Sequence, residues 1–197
     1  MPVDVCVVTT TKDMDDTCML ASILHANNFE KVVCVAQAKV AVVKIWDAEY
    51  QIACDINVNN SLAIENTRLI KVYVDIDERV RPLAMIIKYW AKSRMLNDAA
   101  GGGTLTSYTW ILMVINFLQT RDPPILPSLQ MLPHHPRISN GIDVGFFDDV
   151  SKLKDYGAKN TESVGQLLYA FFVKYIHPNR SVWLILDLRM NLIIIGR

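Results

Sequence analysis

The sequence predicts an α+β protein in which a sheet-forming segment is followed by a helical one. Before Asn60, the apolar segments are short, rich in valine and isoleucine, and alternate with a period of two, which is typical of strands. A single helical pattern interrupts them near the N-terminus. From Asn60 onward, the apolar period changes to about three and a half residues, which indicates helices.

Four strands and one helix are predicted before Asn60. In the last strand, the period of two places Asp55 and Asn57 on the face opposite to Cys54 and Ile56. A tight turn over residues 47–49 is predicted to lead into it. The predicted strands are Val3–Val8, Val32–Ala38, Lys39–Trp46 and Tyr50–Val58, and the helix extends from about Asp15 to Asn27.

Four more helices are predicted beyond Asn60. Asp77 is a candidate cap for the second of them, and Ser163 with Gln166 matches a capping box ahead of the last. Residues 101–103 are glycines and are interpreted as a connector, and residues 122–141 as a long surface loop. The predicted helices are Ser61–Val74, Arg79–Arg94, Thr104–Gln119 and Leu167–Ile176.

The overall charge does not indicate a nucleic-acid-binding protein. Lys and Arg number 20, and Asp and Glu also number 20, so the formal net charge is zero. Binding to a polyanion would therefore have to come from a local cluster of basic residues.

The cysteines and the terminal segments bear on the compartment. None of the four cysteines belongs to a C-x-x-C pair, so we expect reduced thiols and a cytoplasmic or nuclear protein. No secretory signal is apparent. The apolar segment at residues 182–195 contains Asp187 and Arg189, so no membrane span is predicted. The cysteines are Cys6, Cys18, Cys34 and Cys54.

Two carboxylates and two lysines form a pattern that suits metal-dependent nucleotidyl transfer. Asp4 and Asp55 lie on predicted strands, and carboxylate oxygens are the ligands with which proteins hold Mg²⁺ beside nucleotide phosphates. Lys88 and Lys92 are four apart, so both could meet a triphosphate from one side of a helix. On spacing alone, however, solvated carboxylates and a solvent-facing pair of lysines are the commoner situation, and both interpretations stay open.

Longer segments are more specific. Three of them occur in order: CDINVNNSLAIENTRLI from Cys54, DIDERVRPLAMIIKYWAK from Asp75, and GTLTSYTWILMVINFLQ from Gly103. Together with NTESVGQLLYAFF from Asn160, they resemble the terminal RNA nucleotidyltransferases. This is the poly(A) polymerase and terminal uridylyltransferase family, which is related to DNA polymerase beta. The resemblance extends from about Val3 to Tyr175.

The resemblance implies a role for each candidate side chain of the sheet-forming segment. Asp4 resembles the second aspartate of the family's S-D-x-D motif, a ligand of both metal ions, which would be Mg²⁺ or Mn²⁺. Asp55 resembles the third catalytic carboxylate, a further metal ligand that orients the 3′-hydroxyl of the RNA. Asn60 resembles the asparagine that contacts the ribose 2′-hydroxyl.

The helical segment carries the remaining implied contacts. Lys88 and Lys92 resemble the lysines that bind the triphosphate, Ser107 a hydroxyl on the phosphates, and Tyr108 an aromatic residue that stacks on the incoming base. Two structural alternatives stay open, in which Ser107 caps its helix and Tyr108 only packs at the start of it. His134 and His135 are interpreted as a solvated pair in a loop.

The implied architecture is a truncated nucleotidyltransferase palm, a mixed sheet with a helix, followed by a helical poly(A)-polymerase-associated domain. Its expected bounds are residues 1–59 for the palm and 60–177 for the helical domain, with a divergent tail at 178–197. The implied activity is template-independent addition of AMP or UMP, from ATP or UTP, to RNA 3′ ends. The family also allows an accessory RNA-binding protein as a partner.

Two departures from the family pattern predict low activity. Pro2 stands where the first catalytic aspartate should be, and proline has no carboxylate. The family's glycine-serine signature is also missing, since it should lie upstream of Met1, and an exposed sheet edge is expected there. The alternative function is a catalytically inactive relative that binds nucleotide, RNA or a protein partner. A different member of the superfamily is disfavoured by the LAIENT and GTLTSY motifs.

Overall fold

The computed structural model describes residues 2–11, 16–38, 40–98, 103–139 and 141–176. These residues group into two compact units, one up to Thr67 and the other from Arg68 onward. The predicted α+β class is confirmed. The elements are β1 (Val3–Val7), α1 (Thr17–Ala26), β2 (Glu30–Val35), β3 (Val42–Asp47), β4 (Ile52–Val58), α2 (Ser61–Ile76), α3 (Val80–Ser93), α4 (Ser107–Gln119), β5 (Ile138–Ser139), β6 (Ile142–Asp143) and α5 (Val164–Ile176).

The first unit is a four-stranded mixed sheet in the order β1-β4-β3-β2. β1 runs parallel to β4, and the other neighbouring pairs are antiparallel. α1 covers one face because its Leu20 packs with Val43, Ile45 and Ile56, all of which are buried. β1 is an edge strand of this sheet, and its Val3 is 46% exposed. The face away from α1 is therefore left for polar side chains.

Two of the predicted strands have different ends in the structure. β4 begins at Ile52 rather than Tyr50, because the Asp47 carboxylate accepts hydrogen bonds from the backbone N–H groups of Glu49 and Tyr50 and extends the turn. Gln51 completes that turn with a left-handed backbone, φ 54°. β2 ends at Val35 rather than at Ala38, since the chain turns immediately after it.

A disulfide joins Cys18 on α1 to Cys34 on β2. The expectation of reduced thiols is therefore wrong for this pair, while Cys6 and Cys54 are free. The two cysteines are 16 residues apart, so no short sequence motif predicts that they pair. They meet because α1 packs back onto the sheet. The predicted start of α1 near Asp15 lies outside the described residues, and Asp16 caps the helix by accepting a hydrogen bond from the Cys18 N–H.

The second unit has an apolar core built from α2, α3, α4 and α5. Tyr73 belongs to this core and is 2% exposed. Its hydroxyl donates a hydrogen bond to Gln130 Oε1 and accepts hydrogen bonds from Gln119 Nε2 and the Leu129 N–H. Burial raises the pKa of this hydroxyl to about 12. Within the described ranges, no helix combines the length and the apolar character needed to cross a bilayer.

Two predictions for this unit need correction. α4 begins at Ser107 rather than Thr104, because Thr106 is its cap and accepts a hydrogen bond from the Thr109 N–H. The first half of the predicted surface loop is part of the core, since Ile125, Leu126 and Leu129 are at most 1% exposed. The predicted capping box is confirmed by reciprocal hydrogen bonds between Ser163 and Gln166, although α5 already begins at Val164.

The predicted domain boundaries at 59/60 and 177/178 stay predictions. The glycines at 101 and 102, and the tail from residue 178 onward, lie outside the described residues.

Candidate functional site

The structure places Asp4 and Asp55 side by side. Asp4 on β1 is the register partner of Asp55 on the parallel strand β4. Register partners on neighbouring strands are about 4.8 Å apart and point to the same face of a sheet. This face is opposite to the one that α1 covers, because Cys54 and Ile56, the neighbours of Asp55 in sequence, face the core around Leu20. The two carboxylates therefore face the same space.

A lysine adjoins this pair that sequence reasoning did not identify. Lys44 on β3 is the register partner of Asp55, and its Nζ lies 3.4 Å from Asp55 Oδ2. The Asp55 side chain is 22% exposed and that of Lys44 is 53% exposed. The signal was present in the sequence, since Lys44 alternates with the buried residues Val43 and Ile45 on β3.

Asn57 is a third side chain that brings an oxygen to the same face. It follows Asp55 by two residues on β4, so the side chains share a side of the sheet. Its Oδ1 is buried and accepts no hydrogen bond within the described part of the chain. Buried polar atoms without a partner are uncommon in folded proteins, so this oxygen is an available acceptor beside the carboxylates.

These side chains fit a hard divalent cation. Carboxylate and amide oxygens are the ligands that Mg²⁺ and Mn²⁺ prefer, and Asp4, Asp55 and Asn57 offer all of these types on one face. In the described ranges, no group of three or more His, Cys, Asp or Glu side chains could hold a metal ion. The donor set is therefore two carboxylates and one neutral amide, with less negative charge than three carboxylates would give.

Asn60 holds the turn from β4 into α2. Its Oδ1 accepts a hydrogen bond from the Ala63 N–H in the first turn of α2, and its backbone carbonyl accepts one from Cys6 Sγ. The preceding residue, Asn59, has a left-handed backbone, φ 51°, and accepts a hydrogen bond from the Thr9 N–H. The side chain implied to contact a ribose is thus fixed immediately after the strand that carries Asp55.

Lys88 and Lys92 lie one turn apart on α3. Lys88 is half-buried and Lys92 is exposed. Neither forms an ion pair with any residue in the described part of the chain. Two ammonium groups on one side of a helix without a carboxylate partner suit an anionic ligand.

Ser107 and Tyr108 open α4. Because Thr106 is the cap, the hydroxyl of Ser107 is not used for capping and instead accepts a hydrogen bond from Asn97 Nδ2 at 2.8 Å. The ring of Tyr108 packs partly against the core of the second unit. Burial raises the pKa of its hydroxyl to about 12, so the phenol is neutral at physiological pH. The packing role is therefore present and leaves part of the ring accessible.

The histidine pair lines a groove in the second unit. His134 is half-buried, with Nδ1 2.7 Å from the Leu132 carbonyl, and His135 is exposed. The groove has a volume of about 660 Å³, and its wall includes the Arg68 guanidinium stacked on Phe146. The prediction of a solvated pair thus fits His135 better than His134.

Comparison with known proteins shows what the chain is similar to. The family model of the central palm domain of mitochondrial-like poly(A) RNA polymerases matches residues 2–75. Poly(A) RNA polymerase cid13 of Schizosaccharomyces pombe is 53% identical over 174 residues, which are 86% of this chain and 30% of cid13. Poly(A) RNA polymerase cid11 of the same organism is 48% identical over 88% of this chain and 35% of its own length. The chain belongs to the terminal RNA nucleotidyltransferases.

Solved structures of the family agree with this assignment. A structure of Cid1 in complex with its short product ApU has a TM-score of 0.78 and 32% sequence identity to this chain. The match covers 90% of this chain and 55% of the Cid1 chain. Cid1 has also been crystallised with Mg and 3′-dATP. The chain spans about a third of the length of these two curated relatives.

Proposed function

We propose that this protein takes part in template-independent addition of AMP or UMP, from ATP or UTP, to the 3′ ends of RNA. The observation that carries the proposal is the register pairing of Asp4 with Asp55 on one face of the sheet. This geometry gives a nucleotidyl-transfer reaction the paired carboxylates that it needs. Family membership supplies the reaction class.

Asp4 and Asp55 would hold the divalent cation, and Asn57 Oδ1 would be a neutral third ligand or an acceptor for a water of its coordination shell. When bound, Mg²⁺ or Mn²⁺ supplies Lewis-acid stabilisation of the negative charge on the phosphate oxygens. Asp55 would also orient the RNA 3′-hydroxyl. The Lys44 ammonium lies 3.4 Å from Asp55 Oδ2 and so favours one orientation of that carboxylate.

The nucleotide contacts would come from the remaining candidate residues. Lys88 and Lys92 would bind the triphosphate, with the Ser107 hydroxyl as a further donor. Asn60 would contact the ribose 2′-hydroxyl, and the accessible part of Tyr108 would stack on the base. In the reaction, the RNA 3′-hydroxyl gives its proton to the Asp55 carboxylate that orients it, and its oxygen forms a bond to the α-phosphorus. The bond from that phosphorus to the bridging oxygen breaks, and pyrophosphate leaves with the electron pair.

Pro2 supports a second candidate function, which is binding of nucleotide or RNA without chemistry. Residues 2 and 4 of an extended segment share a face, so a carboxylate at residue 2 would have joined Asp4 and Asp55. Proline supplies none. Removing one electrostatic contributor to an active site costs about 10²–10³ in rate, so slow turnover is expected even when the nucleotide binds normally.

The test is an extension assay. The full chain is incubated with 5′-labelled RNA, Mg²⁺ or Mn²⁺, and ATP or UTP, and products are separated on a gel. We expect slow tail addition that Asp55→Asn abolishes and that the control Glu49→Gln, on the turn before β4, leaves unchanged. Nucleotide binding without any extension would favour the second candidate. Extension that persists in Asp55→Asn would contradict the proposed site.

A further inference from the structure

The charge balance of the whole chain hides a basic helix. Between Val80 and Asn97 there is no Asp or Glu, whereas the segment carries four basic residues. These are Arg81, Lys88, Lys92 and Arg94. Because the molecule is neutral overall, a polyanion could bind only at a local cluster of positive charge, and this segment is such a cluster.

The fold directs most of this charge outward. The core-facing side of α3 consists of Val80, Leu83, Ile87 and Ala91, each at most 1% exposed. Arg81, Lys88 and Lys92 follow at intervals of seven and four residues, which places them along one flank of the helix. In the described part of the chain, none of these three cations has an ion-pair partner.

Two large apolar side chains lie beside this flank and face solvent. Tyr89 is 76% exposed and Met85 is 65% exposed. They are four residues apart, so they are neighbours on the helix surface next to the three cations. An exposed aromatic ring within a row of cations is the combination with which proteins bind single-stranded nucleic acid, because the ring stacks on a base while the cations bind phosphates.

The row is longer than a triphosphate site requires. With a rise of about 1.5 Å per residue, Lys88 and Lys92 are about 6 Å apart along the axis, whereas Arg81 lies about 10 Å from Lys88 on the other side. The proposed nucleotide site uses the lysine pair and leaves Arg81, Met85 and Tyr89 without a role. A polymer with successive phosphates and bases can use these three residues while the lysine pair binds the triphosphate.

We propose that the exposed flank of α3 is a binding path for single-stranded RNA, in which Tyr89 stacks on a base and Arg81 contacts a phosphate. The inference rests on the proposed function, because it supplies that reaction with a contact to its RNA substrate. The alternative occupants of an exposed apolar and basic helix face are a protein partner and duplex nucleic acid. Unlike these two occupants, single-stranded RNA offers an unstacked base to Tyr89.

The test measures RNA binding without nucleotide and without turnover. Anisotropy of a fluorescein-labelled 15-nucleotide RNA is recorded with the full chain at several salt concentrations. We expect Tyr89→Ala to weaken binding about fivefold or more, and Tyr89→Phe to retain it. Arg81→Ala should lower the slope of log K against log salt by about 0.7, since one phosphate contact is lost. With duplex RNA, Tyr89→Ala should have no effect.

Two exposed residues elsewhere in the same unit provide matched controls. Tyr169→Ala removes a tyrosine that is 74% exposed on α5, and Lys159→Ala removes an exposed cation before α5. Both should bind RNA like the wild type. Equal binding by Tyr89→Ala, Arg81→Ala and these controls would overturn the inference, as would failure of the wild type to bind RNA. RNA binding that depends on Tyr89 and Arg81, without any extension, would contradict the proposed reaction and would still support the RNA path.

Discussion

Pro2 lies at the position from which a side chain would reach the face of Asp4 and Asp55. β1 begins at Val3, and the alternation along an extended chain puts residues 2 and 4 on one side and residue 3 on the other. The missing carboxylate is thus a property of one residue. The pairing of β1 with β4 begins at the next residue, Val3.

We expect Pro2→Asp to raise the rate of RNA extension by about 10²–10³, the factor that one electrostatic contributor at an active site typically supplies. The measurement is the initial rate of tail addition with Mg²⁺ and saturating nucleotide. Val3→Asp is the matched control, because it adds the same charge at a position that is 46% exposed on the opposite face. An equal gain in both variants would show that charge, and not placement, is responsible.

Individual residues of the candidate site were also predicted from the sequence in the most detail. The motif around Asp55 pointed to the residue itself, and the period of two placed Asn57 on its side of the strand. Its neighbours could not be predicted in the same way, because the register of Asp4 and Lys44 against Asp55 depends on how three strands align. The buried Oδ1 of Asn57 is likewise a consequence of packing that no local pattern encodes.

At the scale of elements, helices were easier to predict than the segments between them. α2, α3, α4 and α5 each have an apolar period, and only their ends were displaced, by caps such as Thr106. The segment at residues 122–141 contains proline and polar residues and was predicted as surface loop. Its Ile125, Leu126 and Leu129 nevertheless fill the core, because short apolar groups between prolines can pack without forming a helix.

The connection before α5 depends on one glycine. A Cβ at Gly157 would lie 2.7 Å from Asp77 Oδ2 and 2.8 Å from the Ile125 carbonyl oxygen. We therefore expect Gly157→Ala to destabilise the protein by about 1–3 kcal/mol, as other overpacked sites do. Urea unfolding followed by circular dichroism measures the change.

Gly165 is the control for that prediction. It lies on α5, and the nearest atom to a Cβ there is Ser163 Oγ at 4.0 Å. Gly165→Ala should be neutral or stabilise by up to about 1 kcal/mol, since alanine favours helices over glycine. A loss of stability of the same size in both variants would contradict the steric explanation.

At the scale of the second unit, one ionic network joins segments that are far apart in sequence. Arg79, at the start of α3, donates hydrogen bonds to Asp77 and to the backbone carbonyls of Gly157, Asn160 and Glu162. Arg121, just after α4, donates two hydrogen bonds to the Glu162 carboxylate. The chain before α5 is thereby attached to two helices at once.

Both carboxylates of this network titrate at lower pH than usual. Burial alone would raise the pKa of Asp77, but the hydrogen bonds and charge of Arg79 outweigh it and lower the pKa below 3.8. Hydrogen bonds from Arg121 lower the pKa of Glu162 below 4.5. The folded state therefore binds fewer protons than the unfolded state in this range. The stabilisation is complete above the unfolded pKa values and is lost as the pH falls through the folded ones.

We accordingly expect the thermal stability of the protein to fall steeply below about pH 4.5. The double variant Asp77→Asn/Glu162→Gln should be less stable than the wild type at pH 7, because Arg79 and Arg121 lose their charged partners, yet its melting temperature should change less between pH 6 and pH 3. Asp155→Asn, at an exposed carboxylate without a side-chain partner among the described residues, should retain the wild-type pH profile. A double variant with an unchanged acid slope would show that other groups govern the acid unfolding.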